Sequence, residues 1–338
     1  MKTLSRRHFL QLGTATAATV SVTACSGNEH SASIDTSLPV GPFGADATAE
    51  LVTEGMDLSG KTALVTGCNA GLGYETMRVL ALRGAHVIGT GRTLEKARIA
   101  CDSVEGNTTP VALELSDFQS AVDCAETVRT LNVPLDMLIC NAGINFGGLQ
   151  LVDGIELTFR VNHLGHFVLV NNLLPELAAA EAGRIVHVGS MSGYAQAPAV
   201  GIDFDNLRGE KEFDGGEAYG RSKLANALFS LQLSKNLQDT STTSNVIHPG
   251  LVLTNIARNA PTIIRKGFEW VGPLIARTPA QGAATQVYVA TNPILAGVSG
   301  AYFEDCNPVT VSGPHHIFNE VMAQQLWDVS LEMTRGYV

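Results

Sequence analysis

Thr66-Gly67-Cys68-Asn69-Ala70-Gly71-Leu72-Gly73 is the stretch whose reading decides the fold. It follows the apolar run Ala63-Leu64-Val65, which reads as a strand, and it opens a helix-like run that continues to Leu82. A glycine-rich turn between a strand and a helix lets backbone N–H groups and the helix dipole meet a phosphate. The spacing is Gly67-x-x-x-Gly71-x-Gly73 rather than the commoner Gly-x-Gly-x-x-Gly. Gly67 permits the tight turn, Gly71 the backbone's approach to a pyrophosphate, and Gly73 close packing of helix on strand. Asn69 and Leu72 lie in the same turn and join the candidate contacts.

A second stretch, Tyr219-Gly220-Arg221-Ser222-Lys223, puts a phenol and an ammonium four residues apart, on one helix face. Together the two describe a nucleotide cofactor held beside an acid/base tyrosine. Working outward, apolar strand-like runs cover 62–66, 86–90, 110–115, 137–141, 184–189, 244–248 and 298–303. Helical patterns between them cover 71–82, 118–131, 154–174, 219–237 and 280–290. Continuous apolar strands alternating with helices predict an α/β fold, a single doubly wound Rossmann-type parallel sheet of about seven strands with helices on both faces. Ligands in such sheets bind at the carboxyl ends of the strands, near the point where strand order reverses. Segments 198–216 and 255–278 have no place in the sheet.

Several motifs in order then resemble one family, the short-chain dehydrogenase/reductases: Thr66 to Gly73, Asn141-Ala142-Gly143, Asn162 within Val-Asn-His-Leu-Gly-His-Phe, Ser190, Tyr219 to Lys223, and Pro249-Gly250. The resemblance runs from about Leu58 to the C-terminus. Its nearest branch is that of the retinol dehydrogenases and the WW-domain oxidoreductase, carried by Val161 to Phe167, Gly209-Glu210-Lys211, Ser222 to Asn226, and Gly282-Ala283-Ala284-Thr285-Gln286-Val287-Tyr288. The resemblance implies that Asn141, Ala142 and Gly143 steady the cofactor floor. It implies that the segment with Pro249, Gly250, Val252 and Thr254 meets the nicotinamide carboxamide, and that Asn162 holds a water for proton relay. It implies an acid beside the adenine at the end of the third strand, where Glu114 stands in place of the usual Asp. Segments 198–216 and 255–278 become the variable loops over the substrate.

Cofactor choice is read from the end of the second strand. No acid occurs from His86 to Leu94 to take ribose hydroxyls, and Arg92 stands there instead, about 20 residues past the glycine turn, where a cation pairs with a 2′-phosphate. NADP(H) is therefore the expected cofactor. A free tyrosine, with a pKa of about 10, is a poor base at neutral pH. Lys223 and the oxidised nicotinamide are expected to favour the phenolate of Tyr219, and Lys223 to reach the nicotinamide ribose. The Ser190 hydroxyl, after the strand 184–189, can hydrogen-bond the reacting oxygen. The expected activity is NADP(H)-dependent interconversion of an alcohol and an aldehyde or ketone on a hydrophobic molecule. A sugar-nucleotide epimerase or dehydratase and a non-catalytic NADP-binding sensor or scaffold are the alternatives. The glycine spacing and short C-terminal part disfavour the first, and the intact Ser190, Tyr219 and Lys223 disfavour the second.

The formal charge of -10 argues against nucleic acid or an anionic membrane surface as main partner. Cys68, Cys101, Cys124 and Cys140 fall on core elements and read as small buried thiols. His163 and His166 bring no third ligand and read as scaffold, and no metal is expected. Gly-x-Ser-x-Gly is absent around Ser190. Ser5-Arg6-Arg7-His8-Phe9-Leu10 looks like a twin-arginine export signal, Leu12 to Ala24 like its short apolar region, and Val22-Thr23-Ala24-Cys25 like a lipobox that lipidates Cys25. The expected organisation is a signal over 1–25, a flexible Ser/Ala/Thr/Gly/Pro-rich tether over 26–55 and one domain over 56–338. The protein is then an exported, lipid-anchored enzyme, with a cytoplasmic location as the alternative.

Overall fold

The computed structural model describes residues 30–252 and 276–338. Its strands are β1 (Ala32–Ile34), β2 (Thr62–Val65), β3 (His86–Gly91), β4 (Thr108–Ala112), β5 (Met137–Cys140), β6 (Leu151–Val152), β7 (Ile155–Glu156), β8 (Arg184–Val188), β9 (Thr243–His248), β10 (Tyr302–Glu304) and β11 (Asn307–Val311). Among the described residues, nine of them form one sheet in the order β1-β11-β10-β9-β8-β5-β2-β3-β4. The seven from β4 to β10 are parallel, as the apolar runs require, and β11 and β1 extend the sheet antiparallel. The helices are α1 (Ala49–Val52), α2 (Gly71–Leu82), α3 (Leu94–Asp102), α4 (Phe118–Thr130), α5 (Leu157–Phe159), α6 (Gly165–Ala178), α7 (Ser192–Ala195), α8 (Gly215–Asn236), α9 (Pro279–Gly282), α10 (Ala284–Thr291) and α11 (Glu320–Met333). A π-helical turn, Arg160–Leu164, joins α5 to α6. No helix among the described residues is long and apolar enough to cross a membrane.

Alternation along the strands feeds two cores. Leu64, Ile88, Leu138, Ile185 and Val246 face α4, α6 and α8. Ala63, Val65, Val87, Ile139, Val186 and Ile247 face α2 and α10. Each such Leu or Ile, fully buried, contributes about 1.5–3 kcal/mol. On the outer side of α8, Trp327 of α11 packs edge-on against Phe167 at 5.0 Å and lies 5.8 Å from Phe229.

Three expectations are corrected. The flexible tether over 26–55 is, from residue 30 on, part of the fold. β1 pairs with β11, Phe43 stacks edge-on against Tyr288 at 5.6 Å, and Arg83 binds the Glu50 carbonyl and the Thr53 hydroxyl. The helix expected from 154 starts later. Asp153 and Gly154, both at positive φ, turn a β6–β7 hairpin first, and the Glu156 carboxylate then caps the Thr158 and Phe159 N–H groups. The strand expected over 298–303 begins only at Tyr302, because Gly297 and Gly300 take left-handed conformations and Asn245 receives the Ala301 N–H. The twin-arginine stretch and Cys25 lie outside the described residues.

Burial keeps three core imidazoles neutral, holding His163 and His187 at about 3 and His166 at about 4, against an ordinary 6.5. An unfolded chain takes up protons near 6.5 that the folded chain refuses. The stability from these groups is therefore complete above about pH 6.5 and is lost as pH falls toward their folded values. Three such groups together cost about 4 kcal/mol per pH unit in that window. Urea midpoints should fall from pH 7.5 to pH 5.5, and His187→Phe should flatten that slope by about a third. Equal midpoints at the two pH values would overturn the reading.

Candidate active site

The glycine turn is built as its spacing requires. Gly67 sits at φ +74, a left-handed conformation, with Ala142 directly beneath it. Gly73, in the first turn of α2, lies against the Gly67 carbonyl and the Asn141 amide, so a Cβ there would collide with both. α2 follows Ala70, which offers no side-chain cap, whereas α3, α4 and α8 are capped by Thr93, Asp117 and Asp214. The first N–H groups of α2 are thus left for an external acceptor. Asn69 is exposed at this end, and Leu72 is half-buried beside Val252 and Gly282.

Behind the turn, Asn141 Nδ2 donates to the Thr66 carbonyl at 2.8 Å and the Ala142 N–H donates to Thr66 Oγ1 at 2.8 Å. Gly143 faces Asn162 Oδ1 and Lys223 Nζ. Arg92, just past β3, is exposed and has no hydrogen bond or ion pair among the described residues. Glu114 lies just beyond β4, but its Oε1 accepts from Ser116 N–H at 3.1 Å and from Ser116 Oγ at 2.8 Å, leaving Oε2 for anything else. Pro249 and Gly250 follow β9, with Gly250 at φ +79 against the Arg277 side chain. Val252 bridges to Arg277, and Thr254 lies outside the described residues.

Ser190, Tyr219 and Lys223 gather where β8 ends. Lys223 Nζ donates to the Val188 carbonyl at 2.8 Å and lies 5.7 Å from the centre of the Tyr219 ring. Burial pushes the Lys223 ammonium down to about 8. Burial also pushes the Tyr219 phenol up to about 12, with the Ser190 hydroxyl pulling the other way. Lys223 and an oxidised nicotinamide together are expected to favour the phenolate, and Lys223 by itself does not offset burial. Its ammonium is aimed at a backbone carbonyl, and desolvation of the phenolate dominates. Asn162 is buried in the π-helical turn. Its Oδ1 accepts from Ile144 N–H at 2.8 Å, and its Nδ2 donates to the Ile144 carbonyl and to Ser222 Oγ, each at 2.9 Å. The side chain thus braces backbone and helix.

Three residues at the site were not singled out from sequence. Gln286 of α10 donates from Nε2 to Thr76 Oγ1, to the Leu72 carbonyl at 3.4 Å and to Asn141 Oδ1 at 3.5 Å, tying α2 to the cofactor floor. Arg221 Nη1 donates to the Asn206 carbonyl at 2.9 Å, fastening segment 198–216 to α8. His248 Nδ1 accepts the Met191 N–H at 3.3 Å, and burial lowers its pKa to about 4. Gln286 sits inside the 282–288 run and Arg221 inside the Tyr-to-Lys motif, so both were visible as residues though not as contacts. The remaining variable loop lies mostly outside the described residues, with Ile256, Ile263, Ile264, Phe268, Trp270, Val271, Leu274 and Ile275. Among the described residues no group of His, Cys, Asp or Glu could hold a metal ion.

These residues fit a dinucleotide. The uncapped start of α2 suits a pyrophosphate, the contact of Gly73 with Gly67 keeps that turn free of side chains, and Arg92 stands open beyond β3. The comparisons with known proteins agree. A family model described as short chain dehydrogenase matches residues 61–202. The chain is 38% identical to "Short-chain dehydrogenase TIC 32 B, chloroplastic" of Brassica napus, over 86% of this chain and 94% of that protein. It is 37% identical to "Retinol dehydrogenase 11" of Mus musculus, over 83% of this chain and 88% of that protein. Among solved structures, the Pseudomonas aeruginosa RhlG/NADP active-site complex superposes with a TM-score of 0.59 at 25% identity, covering 73% of this chain and 95% of that one.

Proposed function

The chain belongs to the short-chain dehydrogenase family and is an oxidoreductase of alcohols and carbonyls, and from that premise we propose that it uses NADP(H), acts on a hydrophobic small molecule and passes the proton through Tyr219. The observation that carries this reading is the gathering of Ser190, Tyr219 and Lys223 at the end of β8, beside Gly143. The nicotinamide, when bound, supplies or accepts the hydride. Tyr219 gives or takes the proton at the substrate oxygen, and Ser190 holds that oxygen in line. Lys223 provides the fixed positive charge beside the phenol. Asn162 keeps the Ile144 backbone and Ser222 in register with them. NADP(H) is favoured over NAD(H) by the open Arg92, by the lack of an acid from His86 to Leu94, and by the NADP named for the RhlG complex. The hydrophobic substrate is supported by the retinol named for the relatives and by the apolar side chains of segment 255–278. Export and anchoring through Cys25 are part of the same proposal, resting on Arg6-Arg7 and the Val22 to Cys25 box.

Tyr219→Phe removes only the proton-carrying hydroxyl. It should keep cofactor binding and lower turnover about 10²–10⁴-fold, and near-native turnover on a confirmed carbonyl would sink the assignment. Arg92→Ala should weaken NADPH about ten- to hundredfold, the worth of a lost charge-assisted contact, and leave NADH nearly unchanged. Dissociation constants for both cofactors decide this, and an equal loss for the two refutes the NADP reading. Arg6→Lys with Arg7→Lys should hold the protein in the cytoplasm, and Cys25→Ser should release it from the membrane fraction. A wild-type protein that is cytoplasmic and still begins at Met1 by mass spectrometry ends the export proposal alone.

A further inference from the structure

His166 is read from sequence as scaffold, yet its two ring nitrogens have chemically distinct partners. Nδ1 lies 3.1 Å from the Asn162 carbonyl oxygen, which can only accept, so Nδ1 carries the ring proton. Nε2 lies 3.0 Å from Thr66 Oγ1 and, lacking a proton, must accept from that hydroxyl. Thr66 thereby gives up its longer contact to the Ile139 carbonyl, at 3.4 Å, and its oxygen accepts the Ala142 N–H at 2.8 Å. Two residues on, Ile144 is clasped through both backbone groups by the Asn162 amide. The contacts close a ring: Thr66, His166, Asn162, Ile144, Ala142 and back to Thr66. From this ring Asn162 Nδ2 leads out to Ser222 Oγ at 2.9 Å, and that hydroxyl donates to the Tyr219 carbonyl at 2.7 Å.

We propose that His166 is a positioning residue, whose single Nδ1–H tautomer locks the end of β2 and the Asn141–Ile144 backbone to Asn162 and so sets the catalytic helix against the cofactor floor. The proposal rests on the oxidoreductase reading and adds a residue to it. A change at either end of the link should loosen the floor without touching the substrate.

The same helix supplies the design of the test. Asn171 and Asn172 each donate from Nδ2 to the carbonyl four residues back, at 2.8 and 2.9 Å. His166→Asn can therefore keep the bond to Asn162 while failing to reach Thr66. Thr66→Val breaks the link from the other side, and Thr66→Ser restores the hydroxyl. His166→Asn should weaken NADPH binding and lower kcat about tenfold, the cost of one buried polar group left unpaired, and Thr66→Val, which also strips the Ala142 N–H of its acceptor, by more, with substrate KM within about twofold for both. The double variant should be no worse than Thr66→Val alone, since both changes cut the link between His166 and Thr66. Thr66→Ser should recover most of the Thr66→Val loss. Nitrogen-15 spectra of the wild-type imidazoles should show His166 protonated at Nδ1. An Nε2–H tautomer, or folded variants that bind NADPH as tightly as the wild type, would overturn the proposal. A protein that reduces no carbonyl tells against the oxidoreductase reading, while the tautomer and the NADPH constants still judge His166.

Discussion

One hydrogen bond, from Asn141 Nδ2 to the Thr66 carbonyl, spans the place where strand order turns back. β2 and β5 are neighbours, but the chain leaves β2 toward β3 and leaves β5 toward β8. Their loops part by topology, and that parting is the crevice in which such sheets bind ligands. Without that hydrogen bond, only the Ala142 N–H bond to Thr66 Oγ1 would tie the end of β2 to the Asn141–Gly143 segment by a side chain. The Asn141 amide joins them, Gly73 must lack a side chain to leave room for it, and Gln286 reaches its oxygen from α10. The cofactor cradle, the floor beside Lys223 and the outer helix α10 thus share one small amide.

Electrostatics at the site follows from burial. Desolvation moves Lys223 down and Tyr219 up, so both drift toward their neutral forms. The protein atoms alone therefore do not prepare a phenolate. A positive charge brought beside the two would favour the tyrosinate and further discourage a proton on the lysine. A site of this kind couples the ease of proton transfer to the charge of what is bound next to it, and the reaction's two halves become interdependent through Coulomb's law rather than through movement.

The parallel sheet was legible because buried parallel strands read as unbroken apolar runs, and residues 62–65, 86–91 and 137–140 emerge almost to the residue. α2 was legible to both ends, since its glycine turn and the Arg83-Gly84 stop bracket it. The grouping of Ser190, Tyr219 and Lys223 at the end of β8 was legible through motif order alone. What stayed hidden has physical reasons. Asp153-Gly154 is a hairpin signal, but two-residue strands carry no periodicity. Gly215 and Gly216 disguised the first turn of α8, which Asp214 caps. β11 contains Pro308 and pairs only at the sheet margin, where local propensity is a poor guide. Contacts such as Gln286 with Asn141 join residues 145 apart in sequence, and no local pattern encodes them.

The segment before β2 is the instructive failure. Its composition, poor in large apolar residues and rich in Ser, Ala, Thr, Gly and Pro, is that of a linker. Ordering each residue costs about 1–2 kcal/mol in backbone freedom, so such a stretch folds only onto a surface that is already made. Here that surface is the β11 margin and the outer side of α10. Three residues satisfy an open strand, and Asn307 Nδ2 holds the Phe43 carbonyl at 2.9 Å. Phe43 then covers Tyr288, while α1 packs on α10 and α2. Tyr288 and Gln286 belong to the same helix, two residues apart. The strap that hides one therefore backs the helix that presents the other to Asn141. A segment that reads as a spacer contributes, through α10, to the geometry of the cofactor floor.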